Sequence, residues 1–159
     1  MDMSNAQLNL IKDNKFDVRF KQSSSMFGFK RGHYEIYCDN KQIGTIGDDP
    51  VLAQLCKDFL NAAYKLGAGS GMAQASVYGE EPRNYSPPPK AYAAVVYDGN
   101  DDYDYSITFE ESPIRHLKNI NAKALNNMIN AFNYAYTDGF NNGIDSVLSV
   151  QDNSMSTTL

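Results

Sequence analysis

The stretch that decides the fold runs from Leu125 to Leu148 and reads LNNMINAFNYAYTDGFNNGIDSVL. Its apolar residues return every three or four positions, which is the repeat of one helix face. The pattern passes through Gly139 and Gly143 without a break. A helix from Asn121 to Ser149 would be about 43 Å long, which exceeds the expected width of a domain this size. We therefore expect part of this helix to need a further surface.

A second helical pattern precedes it. Asp49 followed by Pro50 is typical of a helix start, with a capping carboxylate and a proline in the first turn. From Leu52 to Leu66 the apolar residues again recur at helical spacing. Gly67 leaves two interpretations open: it either ends this helix, or lies inside it where another backbone approaches closely.

The two helical patterns share a short internal repeat. The segment AAYKLG at Ala62–Gly67 aligns with YAYTDG at Tyr134–Gly139, and at the same offset of 72 positions Gly71 aligns with Gly143. A glycine inside a helix costs about 1 kcal/mol relative to alanine, so packing, a kink or a cap must compensate for it. We interpret the second copy as a close helix contact that joins either the two repeats or two copies of the chain. Its predicted interface residues are Tyr136, Gly139, Phe140 and Gly143.

The N-terminal third predicts an antiparallel meander. Lys15–Phe20, His33–Cys38 and Lys41–Ile46 alternate apolar and polar residues as half-buried strands do, and Asp39-Asn40 suits a two-residue hairpin turn. The polar segment Ser23–Gly32 is expected to be a loop.

A second hairpin is predicted from Ala91–Tyr97 and Tyr103–Phe109, and Ser112-Pro113 would cap a short helical turn. Gly79–Lys90 reads as an exposed polyproline connector. The expected fold is one α+β domain over residues 1–150, with an antiparallel sheet of about five strands packed against two long helices. The order β-β-β-α-β-β-α suggests two ββα units, followed by a flexible tail at 151–159.

Composition favours a globular intracellular protein. Hydrophobic residues make up 42% of the chain, and the N-terminus lacks the basic and apolar regions of a secretory signal. The two cysteines, Cys38 and Cys56, are expected to be reduced thiols of a cytoplasmic protein. Abundant asparagine and a lysine excess over arginine fit an A/T-rich genome such as that of a phage, which would place the protein in the host cytoplasm.

Charge disfavours nucleic acid as a partner. The formal net charge is −5; the chain up to Lys41 holds seven basic and five acidic residues, and the remainder holds seven and fourteen. This asymmetry permits a positive patch near the N-terminus but falls short of a nucleic-acid footprint. An aromatic and basic segment within it is the candidate site for a protein partner or a small anionic ligand. Its members are Phe27, Phe29, Lys30, Arg31 and His33.

Metal and catalytic motifs are weak. Asp98, Asn100 and Asp102 match the start of a calcium loop, but Tyr103 and Phe109 stand where that loop needs glycine and glutamate, so a polar turn is the better interpretation. We expect no metal and no cofactor. No catalytic residue is predicted, because the pair Arg115-His116 has no nucleophile at a recognisable spacing.

Three functional hypotheses follow. The first is a non-catalytic binding or assembly module that forms a homo-oligomer, in one form a phage or mobile-element accessory protein that binds or inhibits a host factor. The second is a nucleotide-like small-ligand binder with a pocket lined by tyrosines and basic residues. The third is an enzyme whose site, without a known motif, lies near Arg115 and His116. No membrane association is expected.

Overall fold

The computed structural model describes residues 11–26, 29–84, 91–97, 103–109, 112–117 and 122–156, with side chains described for 11–22, 31–84 and 123–151. The chain is α+β, with antiparallel strands and two long helices, as the sequence predicts. In chain order the elements are β1 (Phe16–Met26), β2 (Phe29–Cys38), β3 (Lys41–Ile46), α1 (Pro50–Tyr78), β4 (Ala91–Tyr97), β5 (Tyr103–Phe109), β6 (Ser112–Leu117) and α2 (Ala122–Ser156).

The first sheet is the predicted meander, with order β1-β2-β3. Asp39 and Asn40 both have positive φ, 48° and 66°, which is the backbone of the expected two-residue turn. The prediction of a loop from Ser23 to Gly32 is wrong, because β1 and β2 continue their pairing as far as Met26 opposite Phe29. A register shift between Gln22 and Ser24 accommodates this extension, and ladder hydrogen bonds outweigh the weak strand preference of serine.

The second sheet, β4-β5-β6, is also an antiparallel meander. β4 and β5 have the expected bounds. The helical turn expected at Ser112-Pro113 is wrong: these residues begin β6, which pairs with β5. Pro113 lies at the second position of a strand at the end of the sheet order, where a missing N–H donor is tolerated. The described chain thus holds six strands in two sheets, where the sequence predicted about five in one.

Helix α1 begins as the sequence predicts. The Asp49 carboxylate accepts hydrogen bonds from the backbone N–H groups of Val51 and Leu52, at 2.9 and 3.4 Å. The helix does not end at Gly67, however, but continues to Tyr78. It ends at Gly79, whose φ of +64° is the left-handed conformation typical of a residue that follows a helix.

Helix α2 extends past the predicted end at Ser149 and reaches Ser156, so most of the expected C-terminal tail continues the helix. The predicted cap Asn121 lies outside the described residues. The connector Gly79–Lys90 is partly folded, because Glu81–Asn84 forms a 3-10 turn with Pro82 buried. Its remaining residues, 85–90, are not described.

The chain divides into two compact units, and whether they act as one domain stays a prediction. One unit comprises Phe16–Leu60 and Pro89–Asn133, and its core joins strand residues to the first halves of both helices. There Phe59 meets Phe132 edge-on at 5.9 Å between ring centroids, and the Asn127 side chain donates to the Thr45 carbonyl at 2.8 Å. The other unit comprises Met1–Lys15, Asn61–Pro88 and Tyr134–Leu159. Its core is helix on helix, and includes Tyr64, Ala68, Ala75, Tyr136, Phe140, Ile144 and Val147.

Candidate functional site

The repeated glycines lie where α1 and α2 touch backbone to backbone. A Cβ atom built on Gly67 would overlap the Tyr136 carbonyl oxygen and would lie 3.0 Å from the Phe140 nitrogen. A Cβ atom on Gly139 would overlap the Tyr64 carbonyl oxygen and would lie 3.0 Å from the Ala68 nitrogen. Both glycines therefore give the neighbouring helix room that no other residue would leave.

The crossing has a local two-fold symmetry. Gly71 faces the carbonyl of Phe140, and Gly143 faces the carbonyl of Ala68 in the same way. The residue numbers of the contacting pairs increase together along both helices, so α1 and α2 run parallel here. Exchanging each residue with the one 72 positions away reproduces the same set of atomic contacts.

The four predicted interface residues are all in this crossing. Tyr136 and Phe140 are 4% and 3% exposed, and Gly139 and Gly143 are buried. Of the two expected arrangements, their contact is the one between the repeats of a single chain. A second copy would need a different surface.

Such a surface lies on the opposite side of α1. On the outer side of α1, small and apolar residues at helical spacing form an exposed stripe, which Lys65 and Ser76 flank on the same side. We call this the α1 stripe. Leu66 and Val77 are its largest members, 54% and 73% exposed. Its members are Ala62, Leu66, Gly69, Ala73 and Val77.

The α1 stripe also lacks charge. Between Leu66 and Gly79 the sequence holds no Asp, Glu, Lys or Arg. The nearest charge is Lys65, whose ammonium group lies 3.1 Å from the Asp13 carboxylate. A water-exposed helix face usually carries charged side chains, and the α1 stripe has none.

The equivalent face of α2 is polar, and its own chain partly covers it. The positions 72 residues after the α1 stripe are Tyr134, Asp138, Asn141, Asp145 and Ser149. Asp138 lies 2.6 Å from the Lys15 ammonium group, and Asp145 pairs with Arg83 of the 3-10 turn. The two helices are thus alike where they touch and unlike where they face outward.

Comparison of this chain with protein-family models, curated proteins and solved structures found no match. Within the described residues, no group of three or more potential metal ligands comes together, and no helix has the length and apolar character needed to cross a membrane.

The residues predicted to bind a ligand or partner lie on the β1–β2 hairpin. Phe27 is outside the described residues, and Phe29 and Lys30 lie in β2 with side chains that are not described. Arg31 is exposed and His33 is half-buried. Nε2 of His33 lies 3.9 Å from a carboxylate oxygen of Glu35, a buried residue that the sequence analysis did not select.

The remaining candidates carry no described site. Arg115 and His116 lie on β6 with side chains that are not described, and the Asp98–Asp102 turn lies outside the described residues. Cys38 and Cys56 are buried and form no disulfide, as predicted. Burial raises the pKa of the Cys56 thiol to about 12, so it is not a nucleophile at neutral pH.

The sequence does not predict the α1 stripe, because helical spacing places Leu66 with the buried residues, whereas the structure leaves it exposed. A usable signal was present in the sequence. Helical spacing alone cannot say which of two weakly apolar faces is buried, but the uncharged run after Lys65 shows that the outer face of this helix lacks the usual charged residues.

Proposed function

We propose that the chain is a non-catalytic assembly module that forms a homodimer through the α1 stripe. The observation that carries this proposal is an exposed, uncharged helix face on α1 whose equivalent on α2 is polar and paired with its own chain. Contiguous apolar surface on a soluble protein usually marks an interaction site.

The spacing of the α1 stripe supports a helix as its partner. Its first four members are separated by four, three and four positions, which is the alternation of a helix–helix seam. Alanine and glycine at three of these positions would allow a close approach, which this molecule already uses at Gly67 and Gly139.

A second copy of the same face is the simplest partner of matching chemistry. A two-fold interface brings identical patches together, and an uncharged patch leaves no unpaired charge when it meets itself. A partner of another kind would have to offer an uncharged apolar groove, for which nothing in this chain argues.

We further propose that the chain is built of two βββα units, rather than the ββα units expected from the sequence. α1 begins at Pro50 and α2 at Ala122, 72 positions later, and each follows a three-stranded meander. The two-fold contact at the glycines has the same offset. In this view the crossing at the glycines joins the two βββα repeats of one chain, and the α1 stripe joins two chains.

The test is the molar mass in solution of Ala73→Glu. Ala73 is exposed, so the new carboxylate leaves the fold intact but places a charge in the middle of the proposed seam. We expect the wild type to be a dimer and Ala73→Glu to be a monomer with unchanged circular dichroism. The matched control is Asn141→Glu, which adds the same charge to the equivalent face of α2 and should remain a dimer.

Two results would overturn the proposal. One is a wild type that stays monomeric at all concentrations studied by light scattering. The other is an Ala73→Glu variant that keeps the mass of the wild type, since a buried carboxylate without a partner cannot be accommodated in an apolar seam.

A further inference from the structure

One face of the β1–β2 hairpin carries a cluster of charged side chains. Antiparallel pairing sets Lys21 opposite His33 and Arg19 opposite Glu35. Directly paired residues lie on the same face of a sheet, and so do residues two apart on one strand. This face therefore carries Lys21, His33 and Glu35 side by side, with Arg31 two positions before His33.

Glu35 is the unusual member. Its side chain is 3% exposed, whereas that of Lys21 is 67% exposed and that of His33 is 39% exposed. Oε1 of Glu35 is buried and accepts no hydrogen bond from the described residues. The Lys21 ammonium group at 3.6 Å and the His33 Nε2 at 3.9 Å are within ion-pair range but too far for a hydrogen bond. A buried carboxylate oxygen without a donor is costly, which indicates that a donor is supplied from elsewhere.

We infer that this face binds a nucleotide, with its phosphate against Lys21 and Arg31 and an N–H group of its base donating to Oε1 of Glu35. Lysine and arginine are the usual phosphate ligands, and His33 adds a positive charge when it is protonated.

The combination of charges selects this class of ligand. A free phosphate would meet the negative charge of Glu35, and a simple amine would meet the surrounding cations. A ligand that carries an N–H donor and an anion at separate places satisfies both. A planar ring is favoured because Tyr37, two residues after Glu35, already stacks with the Arg19 guanidinium at 4.4 Å.

A ligand would reach Glu35 past the side chain of Lys21. Its long side chain is mostly exposed, yet its ammonium group is one of the charges nearest to Oε1 of Glu35. Turning this flexible side chain toward an incoming phosphate would move one of the cations away from the carboxylate and leave room beside Oε1 for a donor. The inference does not depend on the proposed dimer, since no residue of the α1 stripe takes part.

The test is calorimetric titration of the full chain with AMP, GMP, CMP and ribose 5-phosphate. At least one nucleotide should bind at least tenfold more tightly than ribose 5-phosphate. For adenine the donor is tested directly with purine riboside 5′-monophosphate, which differs from AMP only in lacking the amino group. If AMP binds, this analogue should bind more weakly.

Three variants separate the roles of the residues. Lys21→Ala should weaken every phosphate-bearing ligand about equally. Glu35→Leu should remove the preference for the nucleotide over ribose 5-phosphate, while a retained melting temperature and retained ribose 5-phosphate binding show that the sheet is folded. Lys41→Ala, which removes an exposed cation at the other end of β2, should change neither.

Several outcomes would overturn the inference. It fails if none of the three nucleotides binds better than ribose 5-phosphate at millimolar concentration. It also fails if Lys41→Ala weakens binding as much as Lys21→Ala, because the effect would then be one of net charge. Equal preference for the nucleotide in Glu35→Leu and in the wild type would exclude the carboxylate as its acceptor.

Discussion

Helices α1 and α2 touch each other through equivalent backbone contacts but present different surfaces to their surroundings. At the crossing, Gly67 and Gly139 face equivalent carbonyl groups in equivalent positions. On the outside, Leu66 and Ala73 of α1 are apolar and exposed, whereas Asp138 and Asp145 of α2 pair with cations of the same chain.

The difference shows which constraint acts on each face. A helix backbone that approaches this closely requires glycine on the facing helix, and each helix here supplies both the glycines and the carbonyl groups that they face. The residue types on an outer face depend only on what covers that face. Ion pairs with Lys15 and Arg83 cover Asp138 and Asp145 of α2, whereas the equivalent positions of α1, Leu66 and Ala73, are apolar and exposed.

The largest expected effect tests the inner face. Gly67→Ala should lower the free energy of unfolding by about 1–3 kcal/mol, because the new methyl group overlaps the Tyr136 carbonyl. Gly69→Ala, two residues away, should raise it by up to about 1 kcal/mol, because nothing lies within 4 Å of that position and alanine is the better helix former. Urea unfolding in the Ala73→Glu background keeps self-association out of the measurement.

Gly139→Ala is the internal control for this comparison. The two-fold contact predicts a loss similar to that of Gly67→Ala. If Gly67→Ala and Gly69→Ala change stability in the same direction, the close crossing does not exist in solution.

The second largest expected effect tests the ion pair between Lys15 and the outer face of α2. Lys15→Met removes an ammonium group whose side chain is 9% exposed, which lies 2.6 Å from Asp138 and 5.1 Å from the ring centroid of Tyr64. We expect a loss of about 2 kcal/mol, since Asp138 is then left partly buried without its cation. Thermal and urea unfolding measure it.

Lys65→Met is the matched control. Its ion pair with Asp13 has nearly the same geometry, at 3.1 Å, but the two side chains are 60% and 82% exposed. Water screens such a pair, so the loss should stay within about 0.5 kcal/mol. Equal losses for the two lysine variants would show that burial does not distinguish these pairs.

Sequence reasoning found what depends on local pattern. The strands around Ile36, the turn at Asp39-Asn40 and the cap at Asp49 each follow from residues close in sequence, and the structure has all three. It failed at Ser23–Gly32 and at Ser112-Pro113, where ladder pairing with a neighbouring strand overrides weak local preferences.

The candidate sites show the same limit. Periodicity identified Gly139 and Gly143 as packing positions, but choosing between a partner within the chain and one outside it requires the position of α1. Glu35 was not selected because alternation alone makes it a solvent-facing strand residue. Its burial depends on the rest of the fold and cannot be read from its neighbours in sequence.

The smallest expected effect distinguishes how the two helices are attached to the first sheet. Lys57 of α1 lies 3.5 Å from the Asp17 carboxylate, a charged link, whereas Asn127 of α2 donates to the Thr45 carbonyl, an uncharged one. The Arg19 guanidinium hydrogen-bonded to Asp17 lowers the pKa of that carboxyl below its ordinary value of 3.8, and Lys57 contributes in the same direction. The contacts of Asp17 with Arg19 and with Lys57 of α1 should therefore weaken in acid, whereas the hydrogen bond of Asn127 should not.

The sign follows from the lowered pKa. A carboxylate that binds protons less readily in the folded state stabilises the fold above the unfolded pKa, and this contribution is lost as the pH falls through the folded pKa. The Asp17 side chain is 37% exposed, so screening limits the effect to about a few tenths of a kcal/mol. Asp17→Asn should thus be slightly less stable than the wild type at neutral pH, and the difference should shrink as the pH falls below the ordinary Asp pKa of 3.8 and through the lowered folded pKa. Asn127→Ala should lose about 1 kcal/mol at every pH where the protein folds, because its hydrogen bond carries no titrating group. Urea unfolding of both variants between neutral pH and pH 3 measures the two profiles, and a stability difference for Asp17→Asn that grows as the pH falls would contradict the assigned direction.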